Sequence, residues 1–105
     1  MKHMEPNEIL RMAWEGKAFA LYVYTPLCGT CQAGIRMLEV AEYLLPEGIL
    51  YEANIADIQN VVQQYQITSV PALLLFSGEK QLPTHIYKME SAQHLLNQIR
   101  RVISS

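Results

Sequence analysis

The chain has 105 residues, half of them apolar, which is the size of one domain that can bury a single core. Its formal net charge of -2 at pH 7 and the lack of any basic run give no electrostatic reason to bind nucleic acid or an anionic membrane. No segment approaches the roughly 20 apolar residues of a membrane span, and the first residues lack the apolar stretch of a secretory signal. We therefore expect one domain over residues 1–105, located in the cytoplasm, with proteins or small molecules as partners.

The first elements predicted along the chain are a short helix and a buried strand. Asn7 is a suitable N-cap for a helix that runs to Trp14, and Gly16 is placed to end it. The run AFALYVY at Ala18–Tyr24 is apolar on both faces, which is typical of a central strand covered by helices on each side. This strand is therefore expected inside a sheet.

A longer helix and a second strand are predicted after the two cysteines. Apolar residues recur at helical spacing in residues 33–45: Ile35, Leu38, Ala41 and Leu45. The proline and glycine at positions 46 and 48 should end this helix. A strand at residues 49–55 follows, and Asp57 can cap a brief third helix around residues 58–62.

The last third of the chain predicts an antiparallel hairpin and a final helix. A strand at residues 71–76, a turn at 77–81 and a weaker edge strand at 84–89 precede a helix capped by Ser91. The order of elements predicts an α/β fold with a mixed sheet of about four strands flanked by helices. Only residues 2–4 remain for a strand before the first helix, so that strand should be short or absent.

Both cysteines lie in TPLCGTCQ, where the central strand ends and the second helix begins. Unpaired backbone N–H groups and the positive end of the helix dipole favour a thiolate at Cys28 in the first helical turn. A Cys-x-x-Cys pair at such a site typically has its first thiol pKa lowered from about 8.5 toward about 7. Cys28 is therefore expected to attack a disulfide, and Cys31 to resolve the product, without a bound cofactor.

Three neighbours of the cysteines are expected to support this chemistry. Gly29 lets a partner backbone approach closely, and Pro26 directs the chain into the turn. The hydroxyl of Thr30 is near enough in sequence to donate a hydrogen bond to the Cys28 thiolate, which would make the disulfide a better oxidant.

Other roles for the cysteine pair stay open at this point. A structural bridge is disfavoured, because the closed loop is very short and the cytosol is reducing. A zinc ion needs four ligands, and His3, His85 and His94 are scattered along the chain, so a metal site within one chain is not expected. Two chains sharing an ion, or two inert buried cysteines, remain alternatives.

The sequence resembles the thioredoxin family over nearly its whole length. CGTC resembles the family's CGPC, and the Val70-Pro71 step resembles the valine-or-isoleucine-cis-proline that faces the cysteines in that family. The resemblance implies a thioredoxin fold and a cis bond before Pro71. It also implies that the backbone of Val70 pairs with an extended substrate peptide.

The chain departs from the family pattern at several places. Leu27 and Tyr22 stand where thioredoxins carry a tryptophan and a buried aspartate, and Glu52 stands where they carry a lysine. Glu52 is then the nearby candidate to accept the proton of Cys31, with a solvated strand residue as the alternative. The family glycine before the last helix is replaced near Lys88 or Met89, which should narrow the substrate groove.

The resemblance favours a thiol-disulfide oxidoreductase that acts as a monomer on protein disulfides and receives electrons from a thioredoxin-reductase-type donor. The alternative is a binding module that presents Pro26, Leu27 and Val70 to one partner, with the cysteines as a redox switch. An enzyme acting on glutathione mixed disulfides is disfavoured, because no basic residue flanks CGTC to bind the carboxylates of glutathione.

Overall fold

A computed structural model describes residues 1–79 and 82–103 of the chain. The strands are β1 (Lys2–His3), β2 (Ala18–Tyr24), β3 (Leu50–Asn54), β4 (Ala72–Ser77) and β5 (Thr84–Ile86). The helices are α1 (Pro6–Trp14), α2 (Gly29–Glu42), α3 (Gln59–Tyr65) and α4 (Ala92–Ile103), with a 3-10 turn at Ile55–Asp57 before α3. The turn predicted at residues 77–81 lies partly outside the described residues.

The strands form one mixed sheet in the order β1-β3-β2-β4-β5. The strands β1, β3 and β2 are parallel, whereas β4 is antiparallel to β2 and β5 is antiparallel to β4. The prediction of an α/β fold with a mixed sheet and a closing hairpin is confirmed. The first strand, which was expected to be short or absent, is present with two residues that pair with β3 at Tyr51 and Glu52, so the sheet has five strands.

Helices cover both faces of the sheet, which explains why β2 is apolar on both sides. Phe19, Leu21 and Val23 point to the face covered by α1 and α3, where they pack with Ile9 and Val61. The alternate β2 residues point to the face covered by α2 and α4, and they pack with these buried side chains: Leu38, Leu73, Leu75, Leu95 and Ile99. Cys28 follows the end of this central strand, so the sheet fixes its position.

Helix boundaries differ from the predicted ones for local reasons. The N-cap of α1 is Glu5 rather than Asn7, because Pro6 fits the first helical position and the Glu5 N–H donates to Glu8 Oε1 at 3.2 Å. Asp57 was predicted as the N-cap of α3, but it lies in the 3-10 turn and Ile58 holds that position.

The ends of the other two long helices follow the same kind of local bonding. The helix α2 ends at Glu42 rather than Leu45, since the next N–H groups bond to carbonyls three residues back and tighten the chain. The predicted cap of α4 is confirmed, because Ser91 Oγ accepts the His94 N–H at 3.0 Å. None of the helices in residues 1–79 and 82–103 has the length and apolar character needed to cross a membrane.

Candidate active site

The two cysteines form a disulfide at the junction between β2 and α2. Cys28 is the N-cap of α2, with extended backbone and a half-buried side chain, rather than a residue of the first turn as predicted. Cys31 lies one turn into the helix and is fully buried, and the two Cα atoms are 5.1 Å apart. Of the two sulfurs, only that of Cys28 is therefore placed to meet another molecule.

Two donors converge on Cys28 Sγ. The backbone N–H of Cys31 donates to it at 3.0 Å, and Thr30 Oγ1 lies 3.2 Å away. Both interactions belong to the first turn of α2, where N–H groups have no partner within the helix. On reduction, the same donors would face a thiolate, and hydrogen bonds to the charged form lower a pKa.

A buried tyrosine of the central strand bonds to the backbone of Cys31. Tyr22 comes from the middle of β2, is fully buried, and donates its hydroxyl hydrogen to the Cys31 carbonyl at 2.8 Å. Burial raises the pKa of Tyr22 to about 12, so the phenol is neutral at physiological pH. No charged side chain is fully buried in the described part of the chain.

Gly34 makes room for this phenol, a role that our reading of the sequence missed. A Cβ atom at Gly34 would collide with the Tyr22 hydroxyl and press on Met89. The available signal was a glycine in the middle of a helix, where it costs about 1 kcal/mol relative to alanine and so has a packing reason.

Glu52 neighbours Tyr22 across the sheet without bonding to the cysteines. The parallel register sets Glu52 beside Tyr22, and its side chain is half-buried. In residues 1–79 and 82–103, no hydrogen bond joins the Glu52 carboxylate to Cys28 or Cys31. Burial, with smaller contributions from the negative charges of Glu52 and Asp57, raises the pKa of Tyr24.

The other wall of the site comes from the loop before β4. The bond between Val70 and Pro71 is cis, and Pro71 is buried beside the end of β2 because Val23 pairs with Ala72. A pocket of about 290 Å³ opens here, with these lining residues: Thr30, Ala33, Pro71, Tyr87, Lys88 and Met89. The fold thus brings together Thr30 and Pro71, which are about forty positions apart in the chain. It also adds Lys88, which is remote from CGTC in sequence.

The rim of the site is exposed and partly apolar. The side chain of Leu27 is 97% exposed immediately before Cys28, and Pro26 is exposed beside it. A Cβ atom at Gly29 would meet nothing within 4 Å, so the space in front of the helix start is open.

The histidines lie apart from the disulfide. The ring nitrogens of His85 contact the carbonyl oxygens of Pro83 and Tyr65. His94 Nε2 lies 3.0 Å from Glu90 Oε2. Across the described residues, no group of three or more histidine, cysteine or acidic side chains is arranged to bind a metal ion.

Comparison with known proteins places these features in a family. The Thioredoxin family model matches residues 7–101. The thioredoxin-like protein YusE of Bacillus subtilis (strain 168) is 36% identical over 105 residues, which cover 100% of this chain and 96% of that protein. Thioredoxin-1 of Saccharomyces cerevisiae is 25% identical over 68 residues, covering 65% of this chain and 66% of that protein.

Solved structures show the same fold at low sequence identity. The J-Trx1 fragment of ERdj5 matches with a TM-score of 0.84 and 16% identity, covering 99% of this chain and 52% of that one. A mutant thioredoxin from Halobacterium salinarum NRC-1 matches with a TM-score of 0.78 and 16% identity, covering 97% of this chain and 88% of that one.

Proposed function

This chain belongs to the thioredoxin family, and we propose that it reduces or exchanges protein disulfides through the dithiol of Cys28 and Cys31. The observation that carries the proposal is the half-buried Cys28 Sγ at a helix start, within hydrogen-bond distance of the Cys31 N–H and the Thr30 hydroxyl. Membership in the family supports redox chemistry on disulfides. The unequal burial of the two cysteines supports Cys28 as the attacking residue.

The reaction follows from the unequal exposure of the two sulfurs. In the reduced protein, the Cys28 thiolate attacks one sulfur of a substrate disulfide, and the other sulfur leaves as a thiolate that takes a proton from solvent. Cys31 then loses its proton and attacks Cys28 Sγ. The Cys28–Cys31 disulfide forms, the second substrate thiolate leaves, and two electrons have passed to the substrate.

The surroundings of the disulfide suit an extended peptide substrate. None of the hydrogen bonds found among the described residues uses the backbone N–H or C=O of Val70, so both groups are available to a peptide laid along it. Leu27 and Pro26 supply exposed apolar surface immediately before Cys28 in the chain. A monomer in the cytoplasm, reduced by a thioredoxin-reductase-type donor, completes the proposal.

A second candidate function is favoured by two observations. No buried carboxylate lies near Cys31 in the described chain, and Leu27 presents an almost fully exposed apolar side chain. A binding module whose contact through Pro26, Leu27 and Val70 changes with the oxidation state of the cysteines would need both features. Such a module would bind one partner differently in its two redox states and show negligible turnover.

Trapping of the mixed disulfide tests the first proposal. The Cys31→Ser variant is incubated with a peptide disulfide, and its intact mass is measured without reductant. We expect a peptide adduct on Cys28 with this variant and none with Cys28→Ser, whose remaining thiol is buried. Failure of Cys31→Ser to form the adduct would remove Cys28 as the nucleophile. Adduct formation without multiple turnovers by the native protein would favour the binding module.

A further inference from the structure

The backbone of Cys31 links the buried phenol of Tyr22 to the half-buried sulfur of Cys28. Its carbonyl oxygen accepts the Tyr22 hydroxyl hydrogen at 2.8 Å, while its own N–H donates to Cys28 Sγ at 3.0 Å. The Tyr22 hydroxyl therefore bonds to the backbone of Cys31, and the N–H of that same residue is the donor to Cys28 Sγ.

We propose that Tyr22 is a positioning residue that holds the Cys31 N–H against Cys28 Sγ and thereby stabilises the Cys28 thiolate. The proposal deepens the proposed function and rests on it, because it concerns the same sulfur. The Tyr22 hydroxyl bonds to the Cys31 carbonyl oxygen, so it acts on Cys28 through the backbone of Cys31. The neutral hydroxyl of Tyr22 thus occupies the place of the buried aspartate of thioredoxins.

The phenol is well suited to hold this position. Tyr22 lies in the central strand between β3 and β4, with Glu52 and Leu73 as its register partners. Its ring is nearly parallel to that of Tyr24, and the ring centroids are 6.4 Å apart. Because the interior is closely packed and Gly34 leaves room for little beyond the hydroxyl, the phenol oxygen has one place to lie.

Among the described residues, few ionisable groups face Tyr22. The ionisable groups that face it are Glu52 from β3 and Tyr24 from its own strand, while α2 and α4 contribute the apolar side chains of Leu38, Leu95 and Ile99. Burial keeps Tyr22 protonated to about pH 12, so it remains a donor throughout.

Removal of the hydroxyl alone tests the proposal. In Tyr22→Phe we expect the Cys28 thiolate fraction near neutral pH to fall about three- to tenfold, since a donor to a charged group is loosened. The equilibrium with a thiol buffer should also shift toward the disulfide, because the reduced protein loses stabilisation of its thiolate, and each tenfold shift corresponds to a midpoint potential about 30 mV lower. Thiolate absorbance against pH and alkylation in graded thiol buffers measure the two quantities.

Two further variants separate positioning from general damage. Gly34→Ala keeps the phenol but displaces its hydroxyl, so it should shift both quantities in the same direction as Tyr22→Phe. Tyr51→Phe is the matched control, because it removes a phenol-to-carbonyl hydrogen bond of 3.1 Å to Gly48, away from the disulfide. It should leave both quantities unchanged.

The outcomes are distinct from those of the trapping experiment. If Tyr22→Phe and Gly34→Ala fold but titrate as the native protein does, the proposal is overturned. Lower stability with an unchanged titration also overturns it, because the hydroxyl would then serve packing alone. If Tyr22→Phe does not fold, the shift in Gly34→Ala decides. These equilibrium measurements need no substrate, so they stand even if Cys31→Ser traps no peptide.

Discussion

Thr30 Oγ1 lies 3.2 Å from Cys28 Sγ, and the hydroxyl must be the donor because a sulfur in a disulfide carries no hydrogen. The same hydroxyl would donate to the thiolate after reduction, when the acceptor is charged and the bond is stronger. The contact therefore favours the reduced protein more than the oxidised one.

We expect Thr30→Val to lower the midpoint potential of the cysteine couple by about 20 mV, which corresponds to a net loss of about 1 kcal/mol. Valine keeps the shape of the side chain and removes the donor. Titration in graded thiol buffers gives the value, and Thr84→Val, at the exposed start of β5, is the control. An unchanged potential would show that the Thr30 hydroxyl bonds to solvent in the reduced state.

We expect Leu27→Ser to lower kcat/KM for a peptide disulfide about five- to thirtyfold, because a leucine that becomes partly buried on binding contributes roughly 1 to 2 kcal/mol. The side chain is 97% exposed in the free protein, so the free energy of unfolding should change by less than about 0.5 kcal/mol. Leu44→Ser, at an exposed leucine after α2, should affect neither quantity. Equal activity of Leu27→Ser and the native protein would remove the apolar rim from substrate binding.

We expect Lys88→Glu to change the preference between two peptide disulfides that carry either glutamate or lysine near the cysteine. Lys88 lines the pocket beside Thr30 and Pro71, and reversal of an exposed charge shifts such a ratio by roughly fivefold. The native protein should prefer the acidic peptide, less so at high salt. Lys17→Glu, just before the opposite end of β2, is the control, and a constant ratio in Lys88→Glu would contradict the prediction.

We expect Glu52→Gln to slow the resolving step about tenfold at pH 7, because Glu52 is the half-buried carboxylate beside Tyr22 and the candidate acceptor of the Cys31 proton. Rapid mixing of the reduced protein with a peptide disulfide separates attack from resolution. Glu47→Gln, in the exposed loop after α2, should resolve at the native rate. An unaltered rate in Glu52→Gln would mean that the proton passes to solvent.

The raised pKa of Tyr22 predicts a loss of stability at alkaline pH. Folding raises this pKa from 10.0 to about 12, so the stabilisation is complete below pH 10 and is lost as pH rises toward 12. The loss amounts to about 2 to 3 kcal/mol of unfolding free energy.

Urea unfolding of the oxidised protein between pH 9 and 12 measures this loss. The difference in stability between the native protein and Tyr22→Phe should shrink across the range, since phenylalanine does not titrate. Tyr24 and Tyr65, whose pKa values burial also raises, contribute equally to both proteins. If the difference in unfolding free energy between the two proteins stays constant from pH 9 to 12, the predicted loss of stability does not come from Tyr22.

The sequence by itself determined the order of elements and the location of the cysteine pair. The run AFALYVY predicted a strand covered on both faces, and β2 has those bounds at the centre of the sheet. Periodicity and caps depend on residues within a turn or two, so they can be read locally. The same local reading left open whether a short first strand forms, because the two residues of β1 depend on pairing with β3 far along the chain.

Only the tertiary structure decided what surrounds the disulfide. The register between β2 and β4 brings Pro71 to Thr30, and the chain after β5 adds Lys88 to the same pocket. Packing of α2 on the sheet sets the Tyr22 hydroxyl on the Cys31 carbonyl in the space that Gly34 leaves. These contacts join residues from separate elements, and strand register and close packing fix them, neither of which a local pattern encodes.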